Sequence, residues 1–222
     1  LSTLGIRKGQ VYAPDARMKK ILDQGAKQGV AMSRAIVYAS REPDIRYWDN
    51  RKWEKMFLYN TTFERDGITD IDARTLWHYQ AIVVSPNLLS TTPGAGTAYL
   101  TAFRDARDAF LDGGKNYKLN VPANAPVKRF WAVTAYDVTT RGLLDAGGNT
   151  NRSVGSMNKP KVNKDGSVDL YFGAEPPKDK KLKNNWVPTN PKKGFFVVFR
   201  FYGPEEGYIN KTWVLNDFEL IK

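Results

Sequence analysis

The sequence predicts a mainly β protein, an antiparallel β-sandwich or jelly roll with two α-helices in its N-terminal third. Apolar residues recur at helical spacing in two stretches before residue 85, and from about residue 96 the pattern changes to period two. Turn signals separate the period-two segments, with no helices between them. The expected organisation is a helical and irregular segment, residues 1–95, packed on a sandwich, residues 96–222, as one compact unit.

Pro14-Asp15 is a helix start, because Pro fits the first turn and Asp favours the positive end of the helix dipole. Met18, Ile21, Leu22, Ala26, Met32 and Ile36 continue at helical spacing to Tyr38. Gly25 and Gly29 lie within this stretch, and since glycine costs a helix about 1 kcal/mol relative to alanine, a close-packed neighbour is expected there. Residues 41–63 carry Trp48, Trp53, Phe57 and Tyr59 and read as an aromatic-pinned connection or a lid, with a short strand near Phe57 to Phe63. A second helix starts at Asp70, runs through Ala73, Trp77, Ala81 and Val84, and stops at Ser85-Pro86. On it Asp70, Arg74 and His78 follow one another every four residues, a spacing that predicts an Asp–Arg ion pair beside an imidazole.

After the breaker-rich segment Ser90 to Gly96, strands are expected at Ala98–Arg104, Asn116–Val121, Lys128–Asp137, Ser167–Phe172, Gly194–Tyr202 and Thr212–Leu220. Phe195, Val197, Phe199 and Phe201 alternate with Phe196, Val198, Arg200 and Tyr202; with both faces largely apolar, this strand is expected to be central. Asp112-Gly113-Gly114, Gly147-Gly148-Asn149 and Lys164-Asp165-Gly166 are the turn signals.

The composition narrows the chemistry. The chain has no cysteine, so disulfides, thiolate metal sites and cysteine nucleophiles are excluded. His78 is the single histidine, so a multi-histidine metal site is excluded as well, and no metal or cofactor is expected. No stretch approaches the ~20 apolar residues that a membrane-spanning helix needs. The net charge of +11 would attract an anionic polymer, but the lysines cluster at residues 159–164, 178–183 and 192–193 without interleaved aromatics. Solvated loops are the expected reading, and nucleic acid is disfavoured as a partner. Sequons at Asn60, Asn151 and Asn210 occur at a frequency that chance supplies.

The run Ile71-Asp72-Ala73-Arg74 with Tyr79, then Asp112-Gly113-Gly114-Lys115-Asn116-Tyr117-Lys118-Leu119, resembles proteins that pair domain-of-unknown-function family 1254 (DUF1254) with family 1214 (DUF1214). The runs Phe130 to Arg141, Asn163 to Gly173, Asn185-Trp186-Val187-Pro188 and Phe199 to Pro204 resemble the same family. The resemblance implies a sandwich of jelly-roll type, preceded by another β-rich domain and often by an export signal. On that footing the chain is expected to be the C-terminal half of a periplasmic or secreted protein, with the N-terminal domain or another subunit as partner. It implies no reaction and no catalytic residues. Arg107-Asp108-Ala109-Phe110 departs from the Gly/Pro-bearing turn expected there, so that hairpin should be reshaped.

The chemistry-bearing candidates are Tyr136, Asp137 and Arg141, at the end of a strand where β scaffolds place function, and Arg74, His78 and Tyr79 on the second helix. Asp137 can satisfy turn amides, and Arg141 either pairs with a nearby carboxylate or offers its planar fork to a carboxylate, phosphate or sugar hydroxyl. Three functions stay open. One is a non-catalytic module for a glycan, small molecule or partner chain, with Trp131, Trp186, Tyr202 and Trp213 as a candidate platform. Another is a hydrolase-like enzyme around the six residues; it lacks a Gly-x-Ser-x-Gly elbow, and Glu64, Asp66, Asp169 and Glu175 are its spare carboxylates. The third is a jelly-roll assembly unit that forms a homo-oligomer.

Overall fold

Asp15 opens the first helix as its sequence predicts: its carboxylate accepts the Met18 amide at 2.6 Å and caps α1, Ala16–Tyr38. The computed structural model describes residues 1–81, 83–89, 91–148 and 151–221. Ile82 of the expected second helix, Ser90 of the breaker segment and Asn149 of the Gly147-Gly148-Asn149 turn signal lie outside the described residues. The chain divides into two units, Leu1–Arg41 and Glu42–Lys222. In the first, a methyl group placed on Gly25 or Gly29 would meet nothing within 4 Å, so among the described residues the close-packed neighbour expected of them is absent.

In the second unit the elements are β1 (Glu54–Lys55), β2 (Glu64–Arg65), β3 (Ile68–Thr69), α2 (Ile71–Gln80), β4 (Thr97–Ala102), β5 (Asn116–Val121) and β6 (Val127–Asp137). There follow β7 (Ser153–Gly155), β8 (Val168–Gly173), β9 (Trp186–Pro188), β10 (Phe195–Pro204), α3 (Glu206–Ile209) and β11 (Glu219–Ile221). One sheet has the order β1-β4-β10-β6-β7 and is antiparallel throughout; β10 sits at its centre, as the two apolar faces of that strand require. The other sheet, β11-β5-β8-β9, is mixed. Its β8–β9 pair is parallel, with Tyr171 opposite Trp186, which corrects the expectation of a purely antiparallel sandwich. Residues 174–185 form the crossover that a parallel pair needs. Buried Asn185 holds its end, donating to the carbonyls of Asp169 at 2.8 Å and Lys161 at 3.0 Å.

The two sheets share one core. Leu100, Val133, Val197, Phe199 and Phe201 contribute from the first, and Tyr117, Leu119, Leu170, Phe172 and Val187 from the second. Phe195 touches Tyr117 and Phe172 across the interface, at ring separations of 6.0 and 6.1 Å. Period-two alternation then turns Tyr99, Tyr136, Phe196, Val198 and Arg200 to the opposite face of the first sheet. Residues 56–77 cover part of that outer face: Phe57 packs on Trp77 at 4.1 Å and on Phe63 at 5.4 Å, and Trp77 reaches Tyr99 at 6.3 Å.

Several expected boundaries move, each for a local reason. No strand forms over 57–63, because Tyr59 and Phe63 adopt φ of 64° and 59° and break the extended run. The second helix ends at Gln80, with Ala81 extended, and the Trp77 indole donates to the Val83 carbonyl at 3.2 Å across the break. The last strand shrinks to Glu219–Ile221. Ahead of it the chain is captured by side chains instead of a ladder: Arg51 and Trp53 donate to the carbonyls of Leu215 and Asn216, and Asp217 accepts the Lys52 amide. The departing turn at 107–110 closes without Gly or Pro, since Asp105 accepts the amides of Arg107 and Ala109 and Asp108 takes φ 69°.

Candidate functional site

The turn that follows β6 is built around Asp137. Its carboxylate is buried, accepts the amides of Thr139 at 2.6 Å and Thr140 at 3.1 Å, and pairs with the Lys193 ammonium at 2.7 Å. Burial pushes the carboxyl up, but the hydrogen bonds from Lys193, Thr139 and Thr140 outweigh it and hold Asp137 below its ordinary value; the same pair raises Lys193. Arg141 therefore does not close the turn by pairing with Asp137. It adopts φ 61°, and its guanidinium lies 4.4 Å from the centre of the Tyr79 ring and 3.3 Å from the Tyr79 hydroxyl.

On α2 the expected Asp70–Arg74 pair gives way to another partner. Asp70 caps the helix through the Ala73 amide at 2.9 Å and pairs with Arg65 at 3.3 Å. His78 is exposed, hydrogen-bonded to the Arg74 carbonyl at 2.9 Å, and its ring rests 5.5 Å from Phe63. The structure thus joins Tyr79 to Arg141, turns Tyr136 to the outer face of the sheet, and sends Asp137 inward, so the six candidates do not form one constellation. The proposed platform also dissolves: Trp131 stacks on Phe199 in the core, while Tyr202 stacks on Phe130 on the opposite face of the sheet.

Two adjoining hollows open on the outer face of the first sheet and its β1 edge, with Leu88 and Tyr99 in the walls of both. The larger, about 310 Å³, is lined by Tyr47, Tyr59, Tyr208, Lys55 and Lys211 among others. Tyr47 and Tyr208 stack at 4.7 Å, and the Lys211 ammonium lies 5.1 Å from the Tyr47 ring centre. Burial pushes the Tyr47 phenol up to about 12, and burial together with the Lys211 charge holds Lys55 below the ordinary lysine value. The smaller, about 230 Å³, is lined by Met56, Trp77, Gln80, Val83, Tyr136, Phe196, Val198 and Arg200 among others. Arg200 lies between two rings, 5.5 Å from Tyr136 and 6.0 Å from Tyr99, and donates to the Tyr136 hydroxyl. Among the described residues, no Asp or Glu lines either hollow. Of the six sequence candidates only Tyr136 does so. Arg200, missed as a candidate, carried a readable signal: it is the only charged residue of an otherwise apolar strand.

A separate ionic cluster sits at the β1 edge. Glu54 is buried, 3.3 Å from Arg46, with its Oε2 lacking a hydrogen-bond partner. Burial pushes its carboxyl up to about 7 against the pull of Arg46 and Arg104. Lys52 pairs with Asp108 at 2.9 Å beside it. Among the described residues no group of three His, Asp or Glu converges as a metal site, and no helix is long and apolar enough to cross a membrane.

No curated protein matches the chain. Among solved structures it is similar to a protein from Vibrio parahaemolyticus, with 21% identity and a TM-score of 0.54, over 100% of this chain and 49% of that one. It is also similar to an uncharacterised protein from Burkholderia cenocepacia, with 13% identity and a TM-score of 0.40, over 95% of this chain and 44% of that one. The chain therefore spans about half the length of the solved proteins it matches. The family described as "Protein of unknown function (DUF1214)" matches residues 96–206, half of the chain and most of both sheets, and the chain belongs to that family.

Proposed function

We propose that this chain is a non-catalytic, small-molecule-binding module, a sandwich of jelly-roll type that works within a longer, exported, two-domain protein. The observation that carries the binding reading is the pair of adjoining hollows, whose described walls combine aromatic rings with Lys55, Lys211 and Arg200 and contain no carboxylate. Ligand sites are typically concave and largely apolar, with a few polar groups that fix orientation. A hydrolase at the 136–141 turn has less support. Its carboxylate is already committed to Lys193 and two amides, and its histidine lies with Phe63. The setting in an exported protein and the partnership with a second domain rest on the family resemblance alone.

The test is ligand-observed NMR with a fragment set that includes monosaccharides, aromatic acids and neutral aromatics, run against the native protein and Tyr99→Ala. Tyr99 walls both hollows, so hits should weaken by about tenfold in the variant. An absence of hits, or hits indifferent to Tyr99, would overturn the reading.

A further inference from the structure

The smaller hollow contains an imbalance between donors and acceptors. Gln80 uses its amide nitrogen on the Leu76 carbonyl at 3.1 Å and its oxygen on the Thr101 hydroxyl. The Trp77 indole is used on Val83, and the Tyr99 hydroxyl on Thr97 at 3.2 Å. Arg200 differs. A guanidinium carries five N–H donors, and among the described residues this one donates only to the Tyr136 hydroxyl and has no carboxylate partner. Since the Tyr136 oxygen accepts that bond, its own proton remains to be donated. The polar end of the hollow is therefore a half-buried cation with spare donors beside a phenol donor, and its apolar wall includes Met56, Trp77, Val83, Phe196 and Val198.

We infer that this hollow binds a small monocarboxylate with an apolar body, its carboxylate forked on Arg200 and touching the Tyr136 hydroxyl. A carboxylate only accepts hydrogen bonds and matches the guanidinium fork in charge and geometry. A neutral alcohol or amide leaves the half-buried cation uncompensated, whereas a carboxylate neutralises it. A phosphate dianion would bring a second charge where the wall supplies one cation. The volume lies below the ~300 Å³ at which drug-sized pockets begin, which selects a small ligand. The proposal rests on the ligand-binding reading and specifies its chemical class.

Isothermal titration of the full chain with phenylacetate and hexanoate, against phenylacetamide, 2-phenylethanol and inorganic phosphate, tests it. The two carboxylates should bind at least about tenfold tighter than the neutral analogues and phosphate. Arg200→Gln should remove that preference, and Tyr136→Phe, which keeps the ring stacked on Phe196, should weaken the carboxylates several-fold; the second variant decides if the first fails to fold. Neutral analogues that bind as well as the acids, or acids indifferent to both substitutions, would overturn the carboxylate class while the binding reading stands. If no organic probe binds at millimolar concentration, both fall.

Discussion

At the scale of single residues, the buried charges divide into a satisfied and an unsatisfied case. Asp137 receives two amides and an ammonium, so Asp137→Ala removes the hub of its turn and leaves Lys193 unpaired; a loss of about 2–3 kcal/mol in urea unfolding is expected. Glu54 is the opposite case. Its carboxyl stands at about 7 in the folded protein against an ordinary value of 4.5. Between those values the folded protein holds a proton that the unfolded chain releases, so stability falls as pH rises through that window and levels off above it. The shift corresponds to on the order of 3 kcal/mol. Glu54→Gln abolishes the titration, so the difference in melting temperature between variant and native protein should move in the variant's favour from pH 5 to pH 8. A difference independent of pH would show that Glu54 is already ionised in the fold at pH 5.

At the scale of elements, the close approaches between backbones decide which substitutions the sheets accept. A methyl group on Gly113 would stand 2.7 Å from the Lys193 carbonyl oxygen and closer still to that of Asn190, and both are backbone atoms that cannot rotate away. Gly113→Ala should therefore cost about 2–3 kcal/mol in denaturant unfolding, whereas Gly25→Ala, in open space on α1, should be neutral or stabilising. The sequence made the long strands legible because their alternation is set by burial on one face; Asn116–Val121 has the predicted bounds. It did not make β7, β9 or the shortened β11 legible. Strands of three residues are too short for a period, and at 215–217 the side chains of Arg51 and Trp53 and the Lys52 amide, bound by the Asp217 carboxylate, replace the ladder. The end of α2 was missed because Ala81 and Val84 continue an apolar spacing that the extended backbone at Ala81 does not follow.

At the scale of the whole molecule, the shared core and both hollows are made from residues of the unit Glu42–Lys222. A chain beginning at Glu42 should thus unfold in one cooperative calorimetric transition; loss of that transition would assign residues 1–41 a part in the fold of the sheets. The site was less legible than the architecture. Tyr136 was visible because it ends a strand, but the hollows join residues from 47 to 211 that only the folded sheet brings together. Arg200 shows how a single charged residue in an apolar strand marks such a place. The central position of β10 also has a consequence for biosynthesis. Its neighbours β4 and β6 leave the ribosome first, and at ~5–20 residues per second several seconds pass before Phe195–Pro204 follows to occupy the gap between them. During that interval the nascent chain displays two strands with unpaired edges and aromatic faces, a state open to edge-to-edge aggregation, and the first sheet's completion is tied to nearly full translation.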